Sequence, residues 1–74
     1  MYILIRIAGV FSVEFANDMP RQLQVTDATG KLLLRLETDM AYNAIDLGQV
    51  AAGVYFLTLK EGSATKTVKL TVLE

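Results

Sequence analysis

Apolar and polar side chains alternate with a period of two along most of the chain, the pattern of strands that keep one face in a core. Ile3, Ile5 and Ile7 can share one face of a first strand, and Gly9 offers a break after it. Phe11, Val13 and Phe15 then alternate with Ser12 and Glu14. Asn17-Asp18-Met19-Pro20 predicts a loop, because proline has no N–H to give to a central ladder. Beyond it Leu23 and Val25 point inward while Gln22, Gln24 and Thr26 face outward. Leu32, Leu34 and Leu36 fall together, opposite Lys31, Arg35 and Glu37. The intervening Asp27-Ala28-Thr29-Gly30 has the chemistry of a tight connection. Asp27 can accept from nearby backbone donors, and Gly30 can take the left-handed conformation that closes a type I turn with a bulge. Residues 22–37 are therefore expected to form a hairpin.

The second half is less even. Residues 38–44 lack a regular pattern and predict an exposed excursion before a short strand near Ile45-Asp46-Leu47. Gly48 to Gly53 predicts a compact turn, with Leu47 and Val50 anchoring it. Val54 to Lys60 forms another strand, which Glu61-Gly62-Ser63 turns back. Its apolar residues fall on both faces: Val54 and Phe56 on one, Tyr55, Leu57 and Leu59 on the other. A central strand covered on both sides, an exposed patch, and a surface buried by another domain or copy all fit that composition. In the last run Val68, Leu70 and Val72 face one way, and Thr67, Lys69 and Thr71 the other. No long segment recurs near 3.6 residues, so helices are not expected. Six or seven short strands with tight hairpins predict an all-β, small antiparallel Ig-like β-sandwich occupying residues 1–74 as one domain.

Composition narrows the function. The chain has 74 residues, of which 53% are hydrophobic, enough for one small core and against simple disorder. It has no cysteine, so neither disulfides nor thiolate ligands supplement that core. It has no histidine, which removes the usual base near neutral pH and the commonest metal ligand. Seven basic residues balance eight acidic ones, so no nucleic-acid partner is expected. The apolar opening has no basic leader and is interrupted by Arg6, unlike a signal peptide. If the chain is a fragment, its export signal lies elsewhere in the parent protein.

Nothing in the chain has the pattern of an enzyme site, and no cofactor or metal ligand set is expected. Asp27 is explained by its turn, and Asp46 by a cap beside Gly48. Glu14, Glu37 and Asp39 sit at alternating or loop positions that favour solvation, although paired acids can converge in space. Ser12 and Ser63 have no histidine partner. Gly48, Gly53 and Gly62 are scattered over turns rather than gathered before a helix. The acidic turns are too short and ligand-poor for a recognised calcium loop, although a weak structural calcium site is compatible with an exported sandwich. Tyr42 suits an exposed contact, but one aromatic does not make a sugar platform. Tyr55 suits the core, with its hydroxyl reaching a loop backbone at the sheet edge. Lys60, Lys66 and Lys69 gather in the last hairpin, either as a solvated face that protects a strand edge or as a surface that another protein recognises.

Several segments, in order, resemble a known family. Gly9-Val10-Phe11-Ser12-Val13 is similar to an early G-x-F-x-V/I element. Val25-Thr26-Asp27-Ala28-Thr29-Gly30-Lys31 resembles a strand, a D-x-x-G-K/R turn and the returning strand. Ile45 to Leu57, with Leu47-Gly48-Gln49-Val50-Ala51-Ala52-Gly53-Val54-Tyr55 at its centre, resembles L-x-x-L-P/A-x-G-x-Y followed by an apolar strand. Gly62 and Lys66-Thr67-Val68-Lys69-Leu70 resemble a last hairpin. Together, over residues 9–72, these resemble the C-terminal sorting domains of the type IX (Por) secretion system.

The resemblance implies a β-sandwich that acts as a carboxy-terminal address on a secreted passenger. It implies as partners an outer-membrane secretion machinery, a sorting peptidase that removes the domain, and an N-terminal passenger in a parent protein. The implied route runs through the periplasm to the cell surface or medium, often with attachment to lipopolysaccharide. Gly48, Gly53, Lys60, Lys66 and Lys69 are the candidate recognition residues. Outside the resemblance, the same sandwich suits a protein-binding or assembly module, a homo-oligomer, or an accessory domain of an extracellular enzyme.

Overall fold

The computed structural model describes the backbone of residues 2–7 and 9–72, and side chains from residue 9 to residue 72. Whether Ile3, Ile5 and Ile7 share a face lies outside the described residues. Seven strands are described: β1 (Tyr2–Ile7), β2 (Val10–Glu14), β3 (Arg21–Asp27), β4 (Leu32–Thr38), β5 (Tyr42–Asp46), β6 (Gly53–Glu61) and β7 (Ala64–Val72). They form two antiparallel sheets, ordered β1-β2-β5 and β4-β3-β6-β7. The chain crosses between sheets after β2, β4 and β5, as expected of a small Ig-like sandwich.

The core is what the alternation predicts. Phe11 and Val13 of β2 and Ile45 of β5 meet Leu23 and Val25 of β3, Tyr55, Leu57 and Leu59 of β6, and Leu70 and Val72 of β7. Val13, Val25 and Leu57 are completely buried. Leu47 and Val50 pack against this cluster from the loop between β5 and β6. Burying each such aliphatic side chain stabilises a fold by about 1.5–3 kcal/mol, so the middle of the sandwich is held chiefly by area removed from water.

At the β3–β4 hairpin, Asp27 Oδ1 accepts from the Thr29 amide at 2.9 Å, the Thr29 hydroxyl at 2.6 Å and the Lys31 amide at 3.0 Å. The Gly30 amide donates to the Asp27 carbonyl, and Gly30 has φ +91°, where a β-carbon would be strained. Those donors, the Thr29 hydroxyl foremost and then the Lys31 amide, hold the Asp27 carboxyl below its ordinary value of 3.8. A lowered folded pKa adds stability above the ordinary value and loses it as pH falls through the folded one. Asp27→Asn should therefore flatten the acid limb of the melting-temperature profile below about pH 4. An unchanged limb in that variant would refute the assignment.

Three expectations need correction. Leu32 does not join Leu34 and Leu36 in the core. The pairing of Val25 with Leu34 and of Thr26 with Leu32 skips Leu33, a bulge that turns Leu32 to the outer face, where it is 50% exposed. Residues 42–44 are not part of an irregular excursion, and Tyr42 begins β5. The connection contains only residues 39–41, and the strand pairs Glu14 with Tyr42 through Val10 with Asp46. The apolar alternation of the strand is interrupted because its inward residue beside Ile45 is Asn43, which is buried. Asn43 Nδ2 donates to the Met40 carbonyl at 2.9 Å, and its Oδ1 accepts from the Thr38 hydroxyl at 2.8 Å. Finally, β6 is central but covered on one side only, with Val54, Phe56 and Thr58 half-buried on the outer face. Ser12 is also buried, on the central strand of the smaller sheet.

Candidate functional site

The segment between β5 and β6 is built around two backbone approaches. Asp46 Oδ1 accepts from the Gly48 amide at 2.7 Å, which bends the chain out of β5. The Leu47 amide donates to the Gly9 carbonyl at 2.7 Å, extending the β2–β5 ladder by one step. Gly9 has φ +78°, and a β-carbon built on it would collide with the carbonyl oxygen of Gly48. The early glycine and the later Leu47-Gly48 are thus halves of one contact.

The same loop is tied from the other side. The Tyr55 hydroxyl donates to the Ala51 carbonyl at 2.5 Å while its ring lies in the core. A tyrosine near the start of this strand, bonded back to the corner before it, is a recurring device of Ig-like sandwiches. Gly48 and Gly53 are exposed, and a β-carbon on either would meet open space. Between them Gln49, Ala51 and Ala52 are also exposed, while Val50 anchors the loop inward.

A second constellation centres on Arg21, which belongs to none of the sequence motifs. Arg21 is buried at one end of the sandwich, where its guanidinium lies 4.0 Å from the centroid of the Phe15 ring. Its Nε donates to Glu61 at 3.0 Å, and its two terminal nitrogens donate to the Asn17 carbonyl at 2.9 Å and Asn17 Oδ1 at 2.7 Å. The group joins the β2–β3 loop to the β6–β7 hairpin. The signal was available: Arg21 shares the inward phase of Leu23 and Val25, and an arginine there needs partners.

The three lysines of the last hairpin do not share a face. Lys66 pairs with Leu59 and so has the inward phase, at the exposed end of the hairpin. Lys60 pairs with Thr65, and Lys69 with Phe56, both on the outer face. All three are exposed, and none is in an ion pair among the described residues. No group of three or more His, Cys, Asp or Glu that could hold a metal occurs among the described residues.

The family model described as "secretion system C-terminal sorting domain" matches residues 7–73. No curated protein gives a significant match to the chain. The family match spans Gly9, the Asp27–Gly30 turn, the Leu47–Tyr55 segment and the last hairpin, and members of this family are non-catalytic. The chain belongs to that family and is a C-terminal sorting domain of the type IX secretion system.

Proposed function

We propose that this domain acts as the address of a secreted passenger, carried through the periplasm and across the outer membrane by the type IX machinery and then removed by its sorting peptidase. The observation that carries the reading is the family match over residues 7–73. The geometry supports a division of labour within it. The glycine and tyrosine motif positions hold backbone turns and the core, so recognition falls to groups that the scaffold presents outward. Those are the exposed loop from Gly48 to Gly53 and the outer-face lysines Lys60 and Lys69, while Lys66, exposed at the end of the hairpin on the other phase, stands apart from them. As a domain that is recognised, it supplies shape and charge, and the machinery supplies transport and peptide-bond chemistry.

The test is an exported reporter fused to the amino terminus of the full chain, in a host with the type IX system. The expected product is a reporter on the surface or in the medium whose mass shows loss of the domain. If the fusion folds but stays periplasmic and uncleaved, while an established sorting domain succeeds in the same host, the sorting role is refuted. A protein-binding or accessory module then becomes the better reading.

A further inference from the structure

The outer face of the four-stranded sheet has an order that strand register makes explicit. Glu37, Gln22, Lys60 and Thr65 form one row across β4, β3, β6 and β7. Arg35, Gln24, Thr58 and Thr67 form the next, and Leu32, Thr26, Phe56 and Lys69 the third. Three cations thus stand against a single carboxylate, around a centre of Thr and Gln beside Phe56. Phe56 and Thr58 are half-buried, while Lys60, Lys69 and Arg35 are exposed.

The smaller sheet and its loops have the opposite sign. Glu14 is on β2, Asp46 ends β5, and Asp18 and Asp39 lie in the loops leading away from β2 and β4. Against these four carboxylates stands one cation, Arg6 of β1, and no Lys or Arg occurs in residues 9–18 or 39–52. A chain of formal net charge −1 is therefore polarised across its two sheets. Charge segregated in this way orients an approaching partner and raises its encounter rate without adding much affinity.

We propose that this outer face is the surface by which the domain docks, and that its partner is a carboxylate-rich protein surface of the secretion apparatus. This rests on the sorting role proposed above. Charge complementarity selects an acidic partner. An aromatic ring between polar neighbours, with cations at the margin, is the anatomy of a protein interface: an apolar contact within a polar rim. Four strands about 4.8 Å apart, read over three or four outward rows, offer roughly 400–500 Å². That is about half of the roughly 800 Å² per partner of a stable complex, so docking is transient, which suits a substrate that must be released. Lys66, on the other phase, lies outside this surface.

The experiment uses the reporter fused to the full chain, as wild type, Lys60→Glu/Lys69→Glu and Lys66→Glu, with folding of each purified protein verified by thermal melting. The double reversal is expected to lower surface delivery at least tenfold, and Lys66→Glu to change it less than twofold. A photo-crosslinking residue at Thr67 should trap a partner peptide rich in Asp and Glu, and the same residue at Ala44 should not. Failure of the wild-type fusion itself would sink the sorting role. Delivery of the wild type and the double reversal at equal levels would overturn only the docking face. An equal loss in Lys66→Glu would overturn it too, by making net charge the cause. Retention of the purified domain on lipopolysaccharide-containing vesicles at 0.15 M salt, abolished by the double reversal, would assign the face to a glycolipid and overturn the protein partner.

Discussion

Gly9→Ala is expected to destabilise the domain by roughly 3 kcal/mol or more, measured by urea unfolding. Two costs combine at this position. A β-carbon at φ +78° is strained, by about 1–2 kcal/mol for a left-handed alanine. It also meets the Gly48 carbonyl, which belongs to the backbone and cannot rotate aside. Relief requires moving Leu47-Gly48, and that breaks the hydrogen bond from the Leu47 amide to the Gly9 carbonyl. A 74-residue domain has about 4–11 kcal/mol of stability in all, so the variant should be marginal at 37 °C. Gly48→Ala supplies the control. Its φ is +74° but its β-carbon meets nothing within 4 Å, so only the conformational cost of about 1–2 kcal/mol applies. Equal losses in the two variants would show that the backbone contact contributes nothing.

The second large effect is expected at Arg21. Arg21→Met should cost about 2–3 kcal/mol, because it strips two acceptors on Asn17 and a carboxylate of their donor at once. The ion pair is not the main term. The Arg21 side chain is 4% exposed but that of Glu61 is 33% exposed, so solvent screens much of the charge interaction. Glu61→Gln should accordingly lose less than about 1 kcal/mol. Arg21→Lys should recover less than half of the methionine loss, since an ammonium cannot stack on Phe15 and reach both Asn17 oxygens and Glu61 from one plane. Full recovery by lysine would mean that only the charge matters. The readout is the urea midpoint at constant slope.

Much of the fold was legible because one physical rule dominates it. Where an inward residue is apolar, period two identifies it, as for Leu23, Val25, Leu57 and Leu70. Turn chemistry placed the β3–β4 connection, because Asp27 and Gly30 each have a local reason to be there. The failures share a cause as well. Asn43 and Arg21 occupy inward positions with polar side chains, satisfied by partners that only the tertiary structure brings near. Leu33 is an extra residue in its strand, and no local pattern marks a bulge among consecutive leucines. The candidate site divided along the same line. The motif segments were readable as a family signature, but their reasons were not, since the Gly9–Gly48 approach joins residues distant in the chain. The lysine cluster was readable as composition, whereas its division between two phases needed the register of β6 against β7.

The central claim is that this sandwich is a type IX sorting signal, and its most direct measurement compares paired hosts. A reporter fused to the full chain is expressed in a strain with an intact type IX translocon and in one without it, and the fraction at the cell surface is determined by protease accessibility on whole cells. The account predicts a surface fraction above one half in the first strain and only background in the second, with intact fusion accumulating in the periplasm. A folded fusion that is equally inaccessible in both strains, or equally accessible in both, would contradict it.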